Sequence, residues 1–479
     1  QRAALNGSRE GGTNTFSFDP ASTLVRPALR VVQGAQSDFY EGRATQDDAI
    51  VVNGFFCAEE DTRIYTSLVD EVRETMERGF DMLKSPMYGH VVAQMCKYFS
   101  IDEAECNACL TFHATCDQPV RFASPNFDGE RFHKPVVTAT FGPASEMEFR
   151  QPLSTDAVRL SCVNGQLLFC GRDADRRWLH EVVSTVPEGQ TGTISVRVLG
   201  SSQVVEEDEN GNVVPVPALS LLQDVTRDTS RRPSMRIITA SAAKCVRSVS
   251  HDDVIIVPEF FCREDNLQLY YTLLKEMRES QARGDEKTEW CSWHEGSHLL
   301  TKNPSRSQTY QRVLEELCDF FSVSPDSSGT RFNWYRDGSD WKPFHHDSAA
   351  FNVDRSKVQN CTVGISFGAS REMAFRHATT GELLYFPQSN GTLFFFGRDV
   401  NIRWQHAINA LPVDKQDGKG RISIILWGNC QGAIEEPGSP PMISDTKRGT
   451  QGSVLCRDFQ KGVCKFGNRC RFSHRSRGR

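Results

Sequence analysis

An internal repeat constrains the fold of this chain more than any other feature of its sequence. An Arg-Pro-x-x-Arg motif with two aliphatic residues after it, at 26–32, recurs at 232–238, and a Phe-Phe-Cys triplet at 55–57 recurs at 260–262. A Phe-Gly pair with Glu-Met-x-Phe-Arg at 141–150 recurs at 367–376, and Gly-Arg-Asp with Trp-x-His at 171–180 recurs at 397–406. Each copy spans about 175–200 residues, so the sequence predicts two related domains and not the short units of a solenoid.

The repeat sets the predicted domain organisation. Between the copies lies an acidic stretch with prolines, and after the second copy the chain is rich in Gly, Pro and Ser, as is typical of linkers. The predicted segments are a disordered N-terminal segment (1–25), the first repeat (26–200), an acidic linker (201–231), the second repeat (232–430), a flexible linker (431–453), and a zinc finger with a basic tail (454–479). We expect the two repeats to pack against each other. The apolar runs are far shorter than the roughly 20 residues of a membrane span, so no membrane contact is predicted.

The second repeat is predicted to place helices first and strands later. Apolar residues recur at helical spacing at 265–278 and 306–321. Short β-branched or aromatic runs separated by turn residues predict strands at 361–367, 382–386, 392–396, 404–411 and 421–427. Turn residues at 379–382 and 389–391 predict two hairpins. This order is typical of the α+β class.

One group of residues in the second repeat points to a metal site. His345 and Asp347 form an His-x-Asp pair, His406 follows in a strand about 60 residues later, and Arg421 opens the last strand. Two imidazoles and a carboxylate leave coordination positions of an iron(II) ion open, and a guanidinium can hold a distant carboxylate with two hydrogen bonds. An isolated His-x-Asp pair is common by chance, so ordinary core and surface residues are the alternative.

In these residues the second repeat resembles the AlkB-like iron(II)/2-oxoglutarate oxygenases, and the first repeat carries a degraded form of the pattern. The matching positions are Asn333, Tyr335, Gly338, His345, Asp347, Gly368, Gly391, His406 and Arg421. The resemblance implies that each repeat is a double-stranded β-helix, or jelly roll, with helices on one face. It also implies catalytic iron(II) ligands at His345, Asp347 and His406. Arg421, Tyr335 and Asn333 would bind 2-oxoglutarate, with Arg421 on its C5 carboxylate.

The resemblance implies an oxidative reaction. Molecular oxygen would convert 2-oxoglutarate to succinate and hydroxylate a C–H bond, and a hydroxylated N-methyl group would leave as formaldehyde. His346 offers an alternative ligand register, but the spacing to Asp347 favours His345. Trp427 stands where the family's second arginine is usual, which leaves the substrate class open between nucleic acid and protein.

The first repeat is predicted to be inactive. Of the residues at the metal-ligand positions, only His180, which aligns with His406, remains. Thr193 aligns with Arg421, and residues near 122–124 align with 345–347. We therefore interpret it as a pseudo-oxygenase that serves stability, packing or substrate presentation. Its Cys106, Cys109, His113 and Cys116 could form a zinc knuckle, but their tight spacing favours buried thiols.

The C-terminal segment has the spacing of a structural zinc site. Cys456, Cys464, Cys470 and His474 are separated by seven, five and three residues, and so short a segment needs its metal to fold. It resembles the CCCH finger family. Phenylalanines alternate with basic residues here, which suits single-stranded RNA. The segment from 454 onward carries +7 and the rest of the chain −13, so nucleic acid is expected to meet this end first.

The leading functional hypothesis is an RNA demethylase that uses Fe(II), 2-oxoglutarate and molecular oxygen, with Zn(II) in the finger. The alternatives are an oxygenase that acts on DNA bases or protein side chains, and a non-catalytic RNA-binding adaptor. The scattered cysteines favour a reducing compartment, so the nucleus, the cytoplasm or both are expected.

Overall fold

The computed structural model describes most of both repeats. The described residues are 25–113, 120–124, 133–151, 156–183, 192–206, 214, 233–240, 249–282, 290–294, 297–300, 307–325, 328–434 and 438–443. The predicted N-terminal segment before residue 25, most of both linkers and the whole finger lie outside them. Within the described part, no helix has the length and apolar character needed to cross a bilayer.

The first repeat is a mixed α/β unit dominated by strands. Its helices are α1 (Arg63–Arg78), α2 (Pro86–Tyr98) and α3 (Arg172–Arg177). Its strands are β1 (Leu29–Gln33), β2 (Ala44–Thr45), β3 (Asp48–Val52), β4 (Asn107–His113), β5 (Val120–Ala123), β6 (Val136–Phe141), β7 (Ser145–Arg150), β8 (Ala157–Cys162), β9 (Gln166–Cys170), β10 (Leu179–Val183), β11 (Thr193–Leu199) and β12 (Val205–Glu206).

The second repeat has a closely similar element order. Its helices are α4 (Gln268–Ala282), α5 (Gln308–Phe320), α6 (Val353–Ser356) and α7 (Arg398–Arg403). Its strands are β13 (Met235–Thr239), β14 (Asp253–Val257), β15 (Trp290–His294), β16 (Ser297–Leu300), β17 (Gly329–Tyr335), β18 (Lys342–His345), β19 (Cys361–Gly368), β20 (Arg371–His377), β21 (Leu383–Gln388), β22 (Leu393–Gly397), β23 (Trp404–Ile408) and β24 (Arg421–Gly428). The two predicted helices and five predicted strands are confirmed, whereas β13 to β18 were not predicted. The predicted order of helices first and strands later is wrong, because β13 and β14 precede α4, and β15 and β16 lie between α4 and α5.

Helix α5 shows how local sequence produces these elements. Ser307 caps its first turn, because the hydroxyl accepts a hydrogen bond from the Tyr310 backbone N–H at 3.0 Å. Tyr310, Val313 and Leu317 follow at intervals of three and four residues and are all buried. They form an apolar stripe that packs on the outer face of the strands of the second repeat, in one core cluster with Phe332 and Ile424.

Two sheets of eleven strands run through the described residues, and each contains strands from both repeats. The order in one, called here the first long sheet, is β18-β23-β20-β21-β1-β3-β9-β6-β11-β4-β5. The order in the second long sheet is β10-β7-β8-β13-β14-β22-β19-β24-β17-β16-β15. In the first long sheet, four strands of the second repeat therefore continue into a larger part from the first repeat. In the second long sheet, three strands of the first repeat continue into a larger part from the second repeat. The second repeat itself contributes β18-β23-β20-β21 to one long sheet and β22-β19-β24-β17 to the other.

The repeats are joined where β1 and β13 add to a strand of the other copy. Strand β1 pairs in parallel with β21, and β13 pairs in parallel with β8. Arg30 of β1 contacts Glu372 of β20 at 2.9 Å and Asp48 of its own repeat at 3.2 Å. Arg236 mirrors this arrangement, with Asp253 at 2.6 Å and Glu146 of the first repeat at 3.9 Å. A buried cluster that includes residues of both copies lies behind these strands.

One of the two predicted hairpins is wrong. The 379–382 turn does join the paired strands β20 and β21. The 389–391 turn instead leads from β21 in the first long sheet to β22 in the second. Asn390 fixes this crossing, because its side chain accepts from the Gly368 N–H at 2.9 Å and donates to the Asn266 carbonyl at 2.8 Å. Turn residues predict a reversal of the chain, but they carry no information on whether the flanking strands then pair.

We expect the substitution Arg30→Met to destabilise the joint in a pH-dependent way. Burial raises the pKa of Glu372, and Arg30 opposes that shift. Without Arg30 the carboxylate is buried with less compensation, which should lower the free energy of unfolding by about 2–3 kcal/mol at neutral pH. A carboxyl group whose pKa is raised in the folded state stabilises the fold most when it is protonated. The stability lost in Arg30→Met should therefore become smaller as the pH falls toward about 4.

Thermal and urea melts at several pH values measure this effect. The control is Arg43→Met, because Arg43 pairs with Glu206 where the two side chains are 84% and 48% exposed. Such surface pairs contribute about 0–1 kcal/mol. An Arg30→Met loss no larger than that of the control, or one that does not vary with pH, would show that this ion pair does not stabilise the joint.

Candidate metal and co-substrate site

A cavity opens between the two sheet portions of the second repeat. Its volume is about 460 Å³, which includes its solvent mouth. The walls are Asn333, Tyr335, Lys342, His345, Asp347, Thr362, Gly364, Met373, Phe394, Phe396, His406, Ala407, Ile408, Ser423, Ile425 and Trp427. Most of the predicted site residues are in this set, and they share the cavity with apolar side chains of β20, β22 and β23.

A bulge in β18 turns two polar side chains toward the cavity. Lys342 lies opposite Ile408 and His345 lies opposite His406, so three steps along β18 match two along β23. In a regular strand, residues 342 and 345 would face opposite sides, because side chains alternate. The extra residue lets both line the cavity, as bulges next to functional sites commonly do.

The structure brings His345, Asp347 and His406 together. Their candidate ligand atoms all lie within 4.8 Å of one another, and among the described residues this is the one such group of three histidine, cysteine or acidic side chains. His345 Nε2 is 4.0 Å from Asp347 Oδ1, and His406 Nε2 is 3.7 Å from Asp347 Oδ2. One small cation could contact all three side chains from this position.

Neighbouring groups orient the carboxylate and its chain segment. The Thr362 hydroxyl donates to Asp347 Oδ2 at 2.8 Å. Asn401 accepts from the Asp347 backbone N–H at 2.8 Å and donates to its carbonyl at 3.3 Å. Supporting contacts of this kind hold metal-binding side chains in position. Sequence reasoning missed Thr362 and Asn401, although Thr362 is a polar residue in a mostly apolar buried strand, which is a usable signal.

The histidines are held in forms that suit metal binding. His345 Nδ1 lies 2.9 Å from the Pro343 carbonyl oxygen, which can only accept, so the proton is on Nδ1 and the lone pair is on Nε2. Burial lowers the pKa of His406 to about 4, against the opposing effect of Asp347. The neutral imidazole is the form that ligates a metal.

His346 has a different environment from its neighbour. Its Nδ1 donates to the Asn401 carbonyl at 2.6 Å, and burial lowers its pKa. It does not line the cavity. Of the two adjacent histidines, His345 is therefore the one grouped with Asp347 and His406.

A buried guanidinium lies next to Tyr335, behind the wall of the cavity; Arg421 is the one predicted residue of this site that does not itself line the cavity. Arg421 is 1% exposed, and its Nε and Nη2 donate to the Ser366 hydroxyl at 3.2 and 2.6 Å. Its Nη1 is buried and has no hydrogen-bond partner among the described residues, and the same holds for Asn333 Oδ1. The Arg421 Cζ atom lies 5.2 Å from the Tyr335 ring centroid. Burial lowers the pKa of Arg421 and raises that of Tyr335.

The same region of the first repeat is chemically different. By sheet register, Thr193 and His113 stand where the second repeat has Arg421 and Tyr335. His180 Nε2 contacts Asp175 Oδ1 at 2.6 Å, and both side chains are buried. Asp175 corresponds to Asn401 in the aligned repeats, so the remaining histidine lies against an acid of its own repeat.

One part of the sequence alignment between the repeats is wrong. The sequence alignment matches residues near 122–124 to the His345 segment, but Phe122 and Ala123 belong to β5, which pairs with β4 at the edge of the first long sheet. The His345 segment instead pairs with β23. The two copies share no motif in this stretch, so nothing in the sequence anchored the alignment there.

The possible zinc knuckle of the first repeat is dispersed. Cys106 Sγ lies 3.8 Å from Cys96 Sγ, Cys109 Sγ accepts from Arg121 at 3.2 Å, and His113 contacts Ser195 at 3.3 Å. The fourth residue of the proposed knuckle, Cys116, is outside the described residues. The described thiols and imidazole therefore have separate neighbours and do not converge.

Comparison with known proteins identifies one segment of the chain. Residues 451–475 match the zinc-finger family of the C-x8-C-x5-C-x3-H type (and similar), which confirms the predicted CCCH finger and implies Zn(II). That Cys456, Cys464, Cys470 and His474 are its ligands stays a prediction. A zinc finger of this type also suggests RNA binding.

A viral protein resembles part of the chain. Uncharacterized protein R406 of Acanthamoeba polyphaga mimivirus is 25% identical over 159 residues, which is 30% of this chain and 79% of that protein. It is therefore about 200 residues long, close to the length of one repeat. Its name states no activity, so the similarity shows a relative about as long as one repeat but gives no information on the chemistry of the site.

Proposed function

We propose that the chain is an iron(II)- and 2-oxoglutarate-dependent dioxygenase whose active site is in the second repeat. One observation carries the proposal, namely that His345, Asp347 and His406 converge within 4.8 Å in a cavity. Two imidazoles and one carboxylate are the donor set of non-haem iron(II) oxygenases. We also propose that each repeat is a double-stranded β-helix of the AlkB-like type. The division of β17–β24 between two sheets supports this assignment.

The donor set fits iron(II). The Nε2 lone pair of His345, the neutral ring of His406 and the Asp347 carboxylate supply two nitrogen donors and one anionic oxygen. Thr362 and Asn401 hold the carboxylate segment in place. When bound, the metal would activate molecular oxygen for attack on a C–H bond.

The other end of the cavity fits a dicarboxylate such as 2-oxoglutarate. Arg421 is buried without an acidic partner among the described side chains, and its Nη1 has a hydrogen bond still to donate. A carboxylate would satisfy that donor and compensate the buried charge. Asn333 and Tyr335 line the same cavity as the three proposed metal ligands, where they can orient the rest of the molecule.

The remaining walls keep water away from the reacting groups. Met373, Phe394, Phe396, Ile408 and Ile425 supply apolar surface around the three ligands. Exclusion of water strengthens the electrostatic contacts of the site and protects a reactive oxidant. The protein thus contributes position and a dry environment, while the bound groups carry the redox chemistry.

For the primary substrate we propose an N-methylated base in RNA. The CCCH finger and the basic tail support a nucleic-acid partner. The first repeat is proposed to be a non-catalytic partner domain, supported by Thr193 and His113 at the positions of Arg421 and Tyr335.

The proposal is tested with the full chain supplied with Fe(II), ascorbate and 2-oxoglutarate. Succinate is measured without substrate and then with a panel of methylated RNA, DNA and peptide substrates, with mass spectrometry of each product. Loss of about 14 Da from a methylated RNA, with formaldehyde release, is the expected result. Turnover only with DNA or peptides would replace RNA as the substrate class, and no succinate under any condition would refute the dioxygenase.

Removal of 454–479 should weaken binding to single-stranded RNA by about tenfold or more and flatten its salt dependence. Each lost cation–phosphate contact removes about one released counterion. Cys470→Ser should reproduce the loss, because a finger needs all its metal ligands to fold. Fluorescence anisotropy at several salt concentrations measures both quantities. Ser476→Ala, in the same segment but not a ligand, is the matched control. Unchanged affinity and salt slope after the truncation would place RNA recognition elsewhere.

A further inference from the structure

Arg371 is a second buried arginine beside the candidate site. It opens β20, is 2% exposed, and ranks with Arg421 among the largest fully buried side chains. Neither guanidinium forms an ion pair with any described acidic side chain. Arg371 instead donates to backbone carbonyls, from Nε and Nη2 to Asn409, from Nη1 to Asp337 at 3.1 Å, and from Nη2 to Asp340. The Asp340 and Asp337 carboxylates offset part of the Arg371 charge without contacting it, but a buried charge whose direct contacts are only carbonyl dipoles is costly for folding.

These carbonyls belong to the segments that carry the candidate site. Asp337 and Asp340 lie in the turn between β17, which ends at Tyr335, and β18, which ends at His345. Asn409 follows directly after β23, the strand of His406. One planar guanidinium on β20 therefore ties the turn between β17 and β18 to the end of β23. Lysine could not reproduce this contact, because it lacks the forked set of donors.

Arg371 also adds charge near Tyr335. Its Cζ atom lies 5.5 Å from the Tyr335 ring centroid, and the Arg421 Cζ atom lies 5.2 Å from the same centroid. Burial and the neighbouring Arg421 lower the pKa of Arg371 to about 10, so it is still a cation at neutral pH. Two buried positive charges thus lie beside Tyr335, which lines the cavity where a carboxylate is proposed to bind.

The first repeat provides an internal comparison. Glu372, Met373, Phe375 and Arg376 are retained there as Glu146, Met147, Phe149 and Arg150, but Arg371 is replaced by Ser145. The two repeats thus share most residues of this strand, but only the second repeat, which also has Arg421 and Tyr335, has an arginine at the position of Arg371. A residue needed merely to build the strand would have no reason to differ in this way.

We propose that Arg371 is a positioning residue for the anionic co-substrate in the second repeat. It orders the 336–341 turn and adds positive potential beside Tyr335, so that Arg421 and Tyr335 are pre-arranged to receive a dicarboxylate. The inference rests on the proposed function, because it assumes that a metal and 2-oxoglutarate share this cavity. It concerns co-substrate affinity and not the metal ligands, which Arg371 does not contact.

The test measures two binding steps on the full chain. Calorimetry with Mn(II), which replaces iron(II) without turnover, is followed by titration of the Mn(II)-loaded protein with 2-oxoglutarate. Arg371→Ser, the residue of the first repeat, should keep Mn(II) affinity within about threefold and weaken 2-oxoglutarate at least tenfold, which corresponds to about 1.4 kcal/mol. Arg371→Lys, which keeps only the charge, should lie between Arg371→Ser and the parent chain. Arg376→Ser is the control. Arg376 lies on the same strand as Arg371, and its Cζ atom lies 4.3 Å from the Phe344 ring centroid. Both repeats have an arginine at this position.

The outcomes are separable. Unchanged 2-oxoglutarate affinity in Arg371→Ser would overturn the role of Arg371. Equal losses of Mn(II) and 2-oxoglutarate affinity would also overturn it, because they would indicate a general collapse of the site. If Arg371→Ser does not fold, judged by its thermal melt, Arg371→Lys decides the matter with the same two titrations. A parent chain that binds neither Mn(II) nor 2-oxoglutarate would refute the proposed function itself.

Discussion

Asp347→Asn is expected to abolish the conversion of 2-oxoglutarate to succinate and to reduce Mn(II) affinity by at least about 100-fold. The amide preserves the shape of the side chain and can still accept from Thr362, but it removes the one anionic ligand of the site. Loss of a mere supporting contact at a metal site costs roughly 10–100-fold in affinity, so loss of a ligand should cost more. His345→Ala should have a similar effect. Succinate is quantified by mass spectrometry and Mn(II) binding by calorimetry.

The adjacent histidine supplies the control for this prediction. In His346→Asn the new amide can still donate to the Asn401 carbonyl, which His346 contacts at 2.6 Å. That variant should retain metal binding and most of the turnover. Parent-like turnover in both Asp347→Asn and His345→Ala would show that the ligands have been assigned to the wrong residues. Loss in His346→Asn alone would move the ligand register by one residue.

A protease site inserted near residue 225, in the predicted linker, should be cut without separating the two repeats. Each long sheet crosses from one repeat to the other, through β1 with β21 and through β13 with β8. The two pieces should therefore migrate together in size-exclusion chromatography with light scattering, even at micromolar concentration, where association must exceed about 8 kcal/mol. Arg30→Met combined with Arg236→Met, which removes the two arginine–glutamate ion pairs across the joint, should promote their separation. Two half-sized particles from the cut parent chain would show that the joint does not hold the repeats together.

Much of the second repeat could be predicted from its sequence, because its signals are local. Helices at 265–278 and 306–321 follow from apolar residues at helical spacing, and the structure has α4 and α5 there. The grouping of His345, Asp347 and His406 is expected from the resemblance to the oxygenase family, because no strand is predicted at the His345 segment and the spacing alone leaves the pairing of the segments open. The internal repeat alone indicates two related units.

Features that depend on distant pairing could not be predicted in this way. Nothing in the short β1 run shows that its second neighbour is β21, about 350 residues later. The bulge in β18 is likewise a product of its pairing with β23 and not of a local motif. The role of Arg371 has no local signal, because a single arginine in a strand suggests an exposed position, and only the fold shows that it is buried among carbonyls.

The pairing of β1 with β21 has a consequence for the synthesis of the chain. Strand β3 can hold one side of β1 early, but the residues of β21, Leu383–Gln388, leave the ribosome about 350 residues after β1. At roughly 5–20 residues per second this delay is about 20–70 s. During that interval one edge of the nascent first repeat can pair with other chains, which is a known route to aggregation. Slow translation or release of a product that ends before residue 383 would prolong this interval, so the yield of native protein should depend on how quickly the second repeat is completed.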